Sequence, residues 1–503
     1  MNQITTHTEA DLLAISGYSE AIAWLKAGPK KLFIGGKWVE SLSGKTTTSF
    51  NPATEKPLAD IALGDAADVD LAVAAARKAF EHPSWFNASP HWRTNLLLKI
   101  ADLVEKNAPQ LAVLETLDMG APLSATTGAI ANAVQCFRYY AGWPTKIHGT
   151  TNPTDPARFI FALREPMGVC GLINAWNAPF TTAAIKMATA LACGNALIMK
   201  PAEMTSLSTL RLAELMEEAG MPPGVVNIIV GRGSVAGAAM AEHPGIDKLS
   251  FTGSTEVGRQ ILSASTGNFK KVTLELGGKS PNIVFEDADL DAALEAAAAT
   301  CCRNSGQICS SGTRLFVHES LHDEVAERVS GLIGAYKVGS PLEADTRMGP
   351  LISAGQLKTV LSYVDIGKKE GASVGLGGAR IGDVGHFVQP TVFANVTNQM
   401  TIAREEIFGP VLSVIPFKDE EDAIRQGNDT IYGLAAAVWT PDVSRAHRVA
   451  RGLKSGRVWV NTYAEADQVM PMGGYKQSGF GRELGAESIE AFTQTKSVCM
   501  RLG

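Results

Sequence analysis

The chain has 503 residues, 45% of them hydrophobic and 19% charged, and carries a net charge of −6. That composition excludes a disordered, collagen-like or disulfide-stapled chain. At roughly 150 residues per domain it fits about three domains, or fewer and larger ones. A weakly acidic chain is a poor candidate for non-specific nucleic-acid binding, so no nucleic-acid partner is expected.

Seven cysteines are widely scattered, and no pair has zinc-site spacing, so neither a disulfide framework nor a metal is expected. A reducing, cytoplasmic location follows as the simpler reading. Residues 1–18 carry Glu9 and Asp11 without a basic n-region and apolar stretch, which argues against a signal peptide. The nearest approach to a membrane span, residues 183–199, is interrupted by Lys186, Gly194 and Asn195.

In chain order, residues 1–31 are polar, with a short helix over 11–26. Residues 32–39 (LFIGGKWV) predict a hairpin around a Gly-Gly turn. Helical periodicity then runs over 65–106 and 107–146. Pro153 and Pro156 mark a turn, and 158–164 (RFIFALR) predicts an extended strand outside the core. Strands at 169–173, 196–199, 225–230, 248–251 and 271–276 alternate with helices at 179–193, 205–219, 234–242 and 255–265. Such alternation argues for a parallel, doubly wound α/β sheet. A second alternating region follows. Its strands fall at 283–285, 315–318, 411–416 and 435–439, and its helices at 287–302, 320–336, 353–369 and 419–427. The Gly-rich stretches 371–386 and 473–485 read as loops.

Several segments could carry chemistry. Cys309 lies in NSGQICSSGTR (304–314), a small, polar, Gly-flanked surrounding with room for a substrate. A thiolate is the strongest side-chain nucleophile near neutral pH, although a cysteine taken at random is more often a buried small hydrophobe. Glu275 ends a strand against Gly277 and Gly278; a carboxylate held in an apolar cleft gains proton affinity and suits a general base. Asn177, in AWNAP, can donate to an oxyanion or cap a helix. The turn at Gly253 and Ser254 offers free N–H groups to a phosphate. The run from Gly231 through Gly233 loosely resembles a dinucleotide loop but has Ala236 at the third glycine position. Lys200 and Glu203 follow a strand end, where a Glu can bind ribose hydroxyls and repel a 2′-phosphate. Glu406 and Phe408 could hold a second ribose and a planar ring. Taken alone, the phosphate-type turns, Lys200–Glu203 and Glu406–Phe408 are more often ordinary turns or solvated carboxylates.

Taken together and in order, these segments resemble the aldehyde dehydrogenase superfamily, from about Phe33 to Lys496. The specific matches are 274–282 (LELGGKSPN), the Gly-Gln-Ile-Cys run at 306–309, 405–410 (EEIFGP), 251–258 (FTGSTEVG) and 471–485 (PMGGYKQSGFGRELG). The resemblance implies that Cys309 is the nucleophile, that Asn177 with the Cys309 backbone N–H holds the oxyanion, and that Glu275 activates the hydrolytic water. It implies NAD as cofactor, with Ile173, Trp176, Lys200, Glu203, Gly233, Gly253, Ser254, Leu276, Glu406 and Phe408 around it. Acylating relatives typically lack the Glu at position 275, so a free carboxylic acid is the expected product.

Departures from the family pattern bear on the substrate. Ala178, Thr182, Ile185, Ile308, Ala464, Ala466 and Met472 stand at expected pocket positions, several of them smaller than usual. They predict a wide tunnel for a bulky or long, hydrophobic or aromatic aldehyde. Arg303 would meet a polar tail or face solvent. A semialdehyde or aminoaldehyde is the alternative, with Glu465 and Asp467 meeting an amine. A catalytically idle NAD-binding homologue is the reading from another class, and the presence of Cys309, Glu275 and Asn177 together argues against it. The implied architecture is an NAD-binding domain (1–143 and 167–277), a catalytic domain (278–478) and an oligomerisation arm (144–166 and 479–503). Strand 158–164, with unpaired backbone groups, would add to a partner's sheet in a homodimer or homotetramer.

Overall fold

The computed structural model describes residues 8–502. Five parallel strands form the centre of an eight-stranded sheet, in the order Lys271–Glu275, Lys248–Thr252, Val169–Ile173, Ala196–Lys200 and Val226–Ile228. The hairpin Leu32–Ile34 and Lys37–Val39 closes one edge antiparallel, and Gly479–Phe480 closes the other. Every residue of Val169–Ile173 and Ala196–Lys200 is buried. That is what a parallel strand covered on both faces requires, and why these segments read as unbroken apolar runs. Helix Pro179–Ala192 is apolar nearly all round for the same reason.

Chain order runs outward from Val169–Ile173 in one direction and then returns to its other side with Lys248–Thr252. The carboxyl ends of these two strands are therefore a topological switch point, where open α/β sheets leave a crevice. A second sheet of seven strands has the order Ser373–Leu376, Thr391–Ala394, Val411–Phe417, Arg314–His318, Pro281–Val284, Ala435–Trp439 and Arg457–Val460. All its neighbours run parallel except the first pair. Residues 276–280 pass directly from the last parallel strand of the first sheet into Pro281–Val284 of the second. The crossing is short, so whatever lies on it sits between the two sheets.

The structure corrects several sequence expectations. Strand Arg158–Pro166 is not a lone edge: it is the middle strand of a three-stranded antiparallel sheet, between Thr150–Asn152 and Thr493–Arg501. Its pairing with the C-terminal strand runs unbroken from Pro166 against Thr493 to Arg158 against Arg501. One side of the strand is paired along its whole length and the other over residues 160–162, and, among the described residues, the outer edge of Thr493–Arg501 is free. The Gly-rich stretches contain strands, Ser373–Leu376 and Gly479–Phe480. Glycine content hid them because short edge strands are set by the partner's backbone rather than by their own side chains. The hairpin of Thr46–Phe50 with Pro57–Ala62, and strand Arg457–Val460, also had no clear period of two. The helix expected over 234–242 opens with a π turn, Gly233–Gly237, before Ala238–Glu242. Among the described residues, no helix is long and apolar enough to cross a membrane.

Candidate active site

Helix Leu290–Cys302 ends in a turn in which Asn304 and Ser305 take φ of 48° and 55°. Non-glycine residues adopt this left-handed region only when their surroundings hold them there. Here the surroundings do. Gln307 donates from Nε2 to Asn304 O (3.0 Å) and accepts the Ile352 N–H at Oε1 (2.9 Å). Ser305 donates to Gly349 O (2.8 Å), and Asn304 Nδ2 donates to Asn177 O (2.9 Å). The turn delivers Cys309, half-buried, to the crossing between the sheets.

Two glycines on that crossing bring the reactive groups together. A Cβ added at Gly278 would overlap the Cys309 carbonyl oxygen, and one at Gly277 would overlap the Glu406 carboxyl. At Gly278 the obstacle is backbone, so only hydrogen fits there, whereas at Gly277 it is the end of the Glu406 side chain; Gly278 is the close-approach device. Gly278 N–H donates to Glu406 Oε1 (3.1 Å). Ser478 clamps the crossing from the other side: its carbonyl accepts Leu276 N–H (3.0 Å) and its hydroxyl donates to Gly277 O (2.6 Å).

Asn177 follows the carboxyl end of Val169–Ile173, at the switch point. Its Nδ2 donates to Gln307 O (2.9 Å), two residues before Cys309. A carboxamide has two N–H donors, so a second remains for a ligand beside the thiol. Glu275 is buried, and neither carboxylate oxygen has a hydrogen-bond partner. Burial first, and then the neighbouring Glu483 carboxylate, hold it well above the usual carboxylate range, while Lys186, Arg482 and Arg457 oppose the rise. Glu406 is pushed up to about 7 by burial, against the Gly278 hydrogen bond and Lys279. Burial, then Glu406 and Glu275, push the Cys309 thiol up to about 12, with the Ser310 and Cys309 N–H groups working against them. The resting site thus pairs a neutral thiol with a proton-avid carboxyl.

Most of the expected cofactor residues lie at or just past the carboxyl ends of the parallel strands of the first sheet. Trp176 packs edge-on against Phe408 with ring centroids 5.2 Å apart, and Thr205 donates to Trp176 O (3.0 Å). Phe408 is held at φ 56° by Gln356 Nε2, which donates to its carbonyl (2.8 Å). Lys200 is buried; its ammonium donates to Pro201 O (3.2 Å) and lies 3.9 Å from Glu203. Ile173 and Leu276 are buried, and Gly253 N–H donates to Glu275 O (3.1 Å). Ser254 acts as an N-cap: its hydroxyl accepts Val257 N–H (3.3 Å) at helix Thr255–Ala264. Gly233 is exposed on the π turn.

The expected pocket residues fall into two groups. Ala178, Thr182, Ile185, Ile308 and Met472 are half-buried, as is Ala464 at φ 61°. Arg303 and Ala466 are exposed. Tyr463 ties this loop to the nucleophile's turn by donating to Ser310 O (2.8 Å).

Sequence reasoning missed the charged layer behind Glu275. Lys186 pairs with Glu483, both buried, and Ser250 joins them: Lys186 donates to Ser250 Oγ (2.7 Å), which donates to Glu483 (3.2 Å). Arg457 is held by Met470 O (2.6 Å) and Pro471 O (3.1 Å), near enough to Glu275 and Cys309 to feel their charge. A signal did exist for Lys186, a lone lysine inside an otherwise apolar buried helix. Glu483 had none beyond its place in a glycine-rich run.

Cys309, Asn177 and the buried Glu275 thus stand near the junction of the two α/β sheets, and comparison with known proteins names the class. The family model described as "Aldehyde dehydrogenase family" matches residues 38–498. The chain belongs to that family. An aldehyde dehydrogenase of Davidiella tassiana is 49% identical over 476 residues, covering 94% of this chain and 96% of its own. The NAD+ complex of an aldehyde dehydrogenase from Bacillus cereus superposes with a TM-score of 0.94 at 44% identity over 100% of both chains. A betaine aldehyde dehydrogenase from Staphylococcus aureus in complex with NAD+ gives a TM-score of 0.95 at 39% identity, covering 96% of this chain and 97% of its own.

Proposed function

We propose that this aldehyde dehydrogenase oxidises its substrate with NAD to a free carboxylic acid, with Cys309 as nucleophile, Asn177 as oxyanion donor and Glu275 as general base. One arrangement supports the reading: Gly278, three residues after Glu275, packs on the Cys309 backbone, and Asn177 is hydrogen-bonded to Gln307, two residues before Cys309.

The residues fit NAD. An ammonium has three N–H donors, and the buried Lys200 beside Glu203 suits a pair of ribose hydroxyls, whereas Glu203 repels a 2′-phosphate. Gly253 and Ser254, at a helix N-terminus, suit the pyrophosphate, and Glu406 suits the second ribose. When bound, NAD supplies a hydride acceptor.

Cys309 Sγ adds to the aldehyde carbon, and its proton passes to the carbonyl oxygen, giving a neutral thiohemiacetal. Asn177 Nδ2 and the Cys309 N–H stabilise that oxygen as charge develops on it. The carbon then gives up its hydride to the acceptor that NAD would supply, the hydroxyl proton passes to water, and a thioester is left on Cys309. Glu275 then takes a proton from water as the water attacks the thioester, and Cys309 leaves as thiolate. The raised proton affinity of Glu275 makes it a strong base once ionised.

The small side chains at 178, 464 and 466 support a bulky or long, hydrophobic or aromatic aldehyde. The exposed Glu465 and Asp467 on the same loop, and the likeness to a betaine aldehyde dehydrogenase, support an aminoaldehyde as the second reading. The long free edge of Thr493–Arg501 supports a homodimer or homotetramer. Seven free cysteines support a cytoplasmic setting.

NADH absorbance with a panel from acetaldehyde through benzaldehyde and long-chain aldehydes to aminobutyraldehyde, with NAD and NADP, tests the reading. Cys309→Ala must abolish turnover. Preference for acetaldehyde removes the wide tunnel, and preference for aminobutyraldehyde selects the second reading.

A further inference from the structure

Helix Ala108–Met119 carries two carboxyls one turn apart, Glu115 and Asp118, both fully enclosed and, among the described residues, neither paired with a basic group. Each serves a helix that lacks a side-chain cap of its own. Helix Pro179–Ala192 begins at Ala178, which has no capping group, and Glu115 Oε1 accepts the Phe180 N–H (3.2 Å). Helix Leu207–Ala219 begins at Ser206, whose side chain makes no cap bond, and Asp118 Oδ2 accepts the Leu207 N–H (2.9 Å). The remaining oxygens are used as well. Ser208 donates to Glu115 Oε2 (2.5 Å), and Ser49 donates to Asp118 Oδ1 (2.6 Å).

The two capped helix starts are the exits of the two loops that line the crevice. Residues 174–178 carry Trp176 and Asn177, and residues 200–206 carry Lys200 and Glu203. Glu115 alone bonds to both helices, through Phe180 and Ser208, while Thr205 joins the two loops through Trp176 O. Phe180 lies three residues past Asn177, with Pro179 rigid between them. A carboxyl at a helix N-terminus is favoured by the exposed N–H groups and their dipole. Enclosing two carboxyls without a cation is nevertheless costly, and an apolar side chain would fill the same space more cheaply. What the carboxyl adds is a fixed position for the helix start.

We propose that Glu115 is a positioning residue for the oxyanion donor: by capping the helix that begins at Pro179 and tying it to the helix that begins at Leu207, it sets where Asn177 stands relative to Cys309. This rests on the assignment of Asn177 above. A misplaced donor loses stabilisation of the developing oxyanion without losing the adenosine side of the cofactor site, so the effect falls on kcat.

The test uses the full-length enzyme with NAD and the best aldehyde of the panel. Glu115→Met keeps the length but removes both acceptors; Glu115→Gln keeps an acceptor for Phe180 N–H and a partner for Ser208. Active sites are counted by NADH burst amplitude, so that misfolded protein does not enter kcat. Glu115→Met is expected to lower kcat at least tenfold, with KM for NAD changed less than threefold, and Glu115→Gln to restore kcat to within threefold of the parent. A Met variant that is only less heat-stable, with kcat per site unchanged, overturns the proposal, as does equal loss in the Gln variant. If the Met variant does not fold, Ser208→Ala takes its place; it frees one carboxyl oxygen and is expected to lower kcat severalfold, and an unchanged kcat overturns the proposal. Asn177→Ala is run alongside. If that variant keeps its kcat, the assignment of Asn177 itself has failed; if it loses activity while the Glu115 variants do not, only the positioning role has.

Discussion

Glu483→Gln isolates the charged layer behind Glu275, the proposed base. Glu483 is 8% exposed and its partner Lys186 1%, so the pair sits in the protein interior. Removing one member of such a pair costs about 3–5 kcal/mol because the other charge is left enclosed. Glutamine still offers an oxygen to Lys186 and Ser250, which places the expected loss at the lower end, about 3 kcal/mol by urea unfolding. The effect on Glu275 has a definite sign. The Glu483 charge raises Glu275 and the Lys186 charge lowers it. The substitution removes the first and leaves the second, so Glu275 ionises at lower pH. An aldehyde that gives a burst of NADH makes thioester hydrolysis limit kcat. With such an aldehyde, the acid limb of kcat moves down by about one pH unit, equivalent to ~1.4 kcal/mol. A limb that stays in place or moves up, with stability lowered as expected, refutes the electrostatic coupling. Unchanged stability refutes the account of the ion pair.

Three further outcomes follow from the site. Glu275→Gln should slow turnover by about 10²–10⁴, the usual worth of a positioned base, while the first-turnover burst of NADH persists; loss of the burst would assign Glu275 to an earlier step. Glu203→Gln should narrow the preference for NAD over NADP by about tenfold, read as the ratio of kcat/KM values, because the repelling charge is gone; an unchanged ratio means that Glu203 does not face the ribose. Gly278→Ala should cost at least about 10² in kcat, since its methyl group meets the Cys309 carbonyl backbone; near-parental activity would show that the crossing can shift.

Much of the site was legible because its signals are local. Glu275 with Gly277 and Gly278, and Cys309 with its small neighbours, each lie within one short segment. Gly278 is glycine because backbone passes against it, and Gln307 is polar because it braces a left-handed turn. The central strands were legible for a different reason: burial on both faces leaves an unbroken apolar run. Two short edge strands in the Gly-rich stretches escaped detection. Ser373–Leu376 and Gly479–Phe480 have exposed or half-exposed side chains and little pattern, and exist because a neighbouring strand offers its backbone. The tail's pairing was equally hidden. Arg158–Pro166 reads as extended in the sequence, but nothing in it names Thr493–Arg501 as the strand beside it.

The sequence by itself determined the alternating α/β plan, through unbroken apolar runs and helical periodicity, and the family resemblance that singles out Cys309, Glu275 and Asn177, through motifs that each lie within one short segment. The tertiary structure alone decided what surrounds them. Lys186 and Glu483 stand 297 positions apart, and Glu115 reaches Phe180 across 65. Such partners meet only when helices and sheets pack, and the proton affinity of an enclosed carboxyl depends on the charges that packing brings to it and the water it removes.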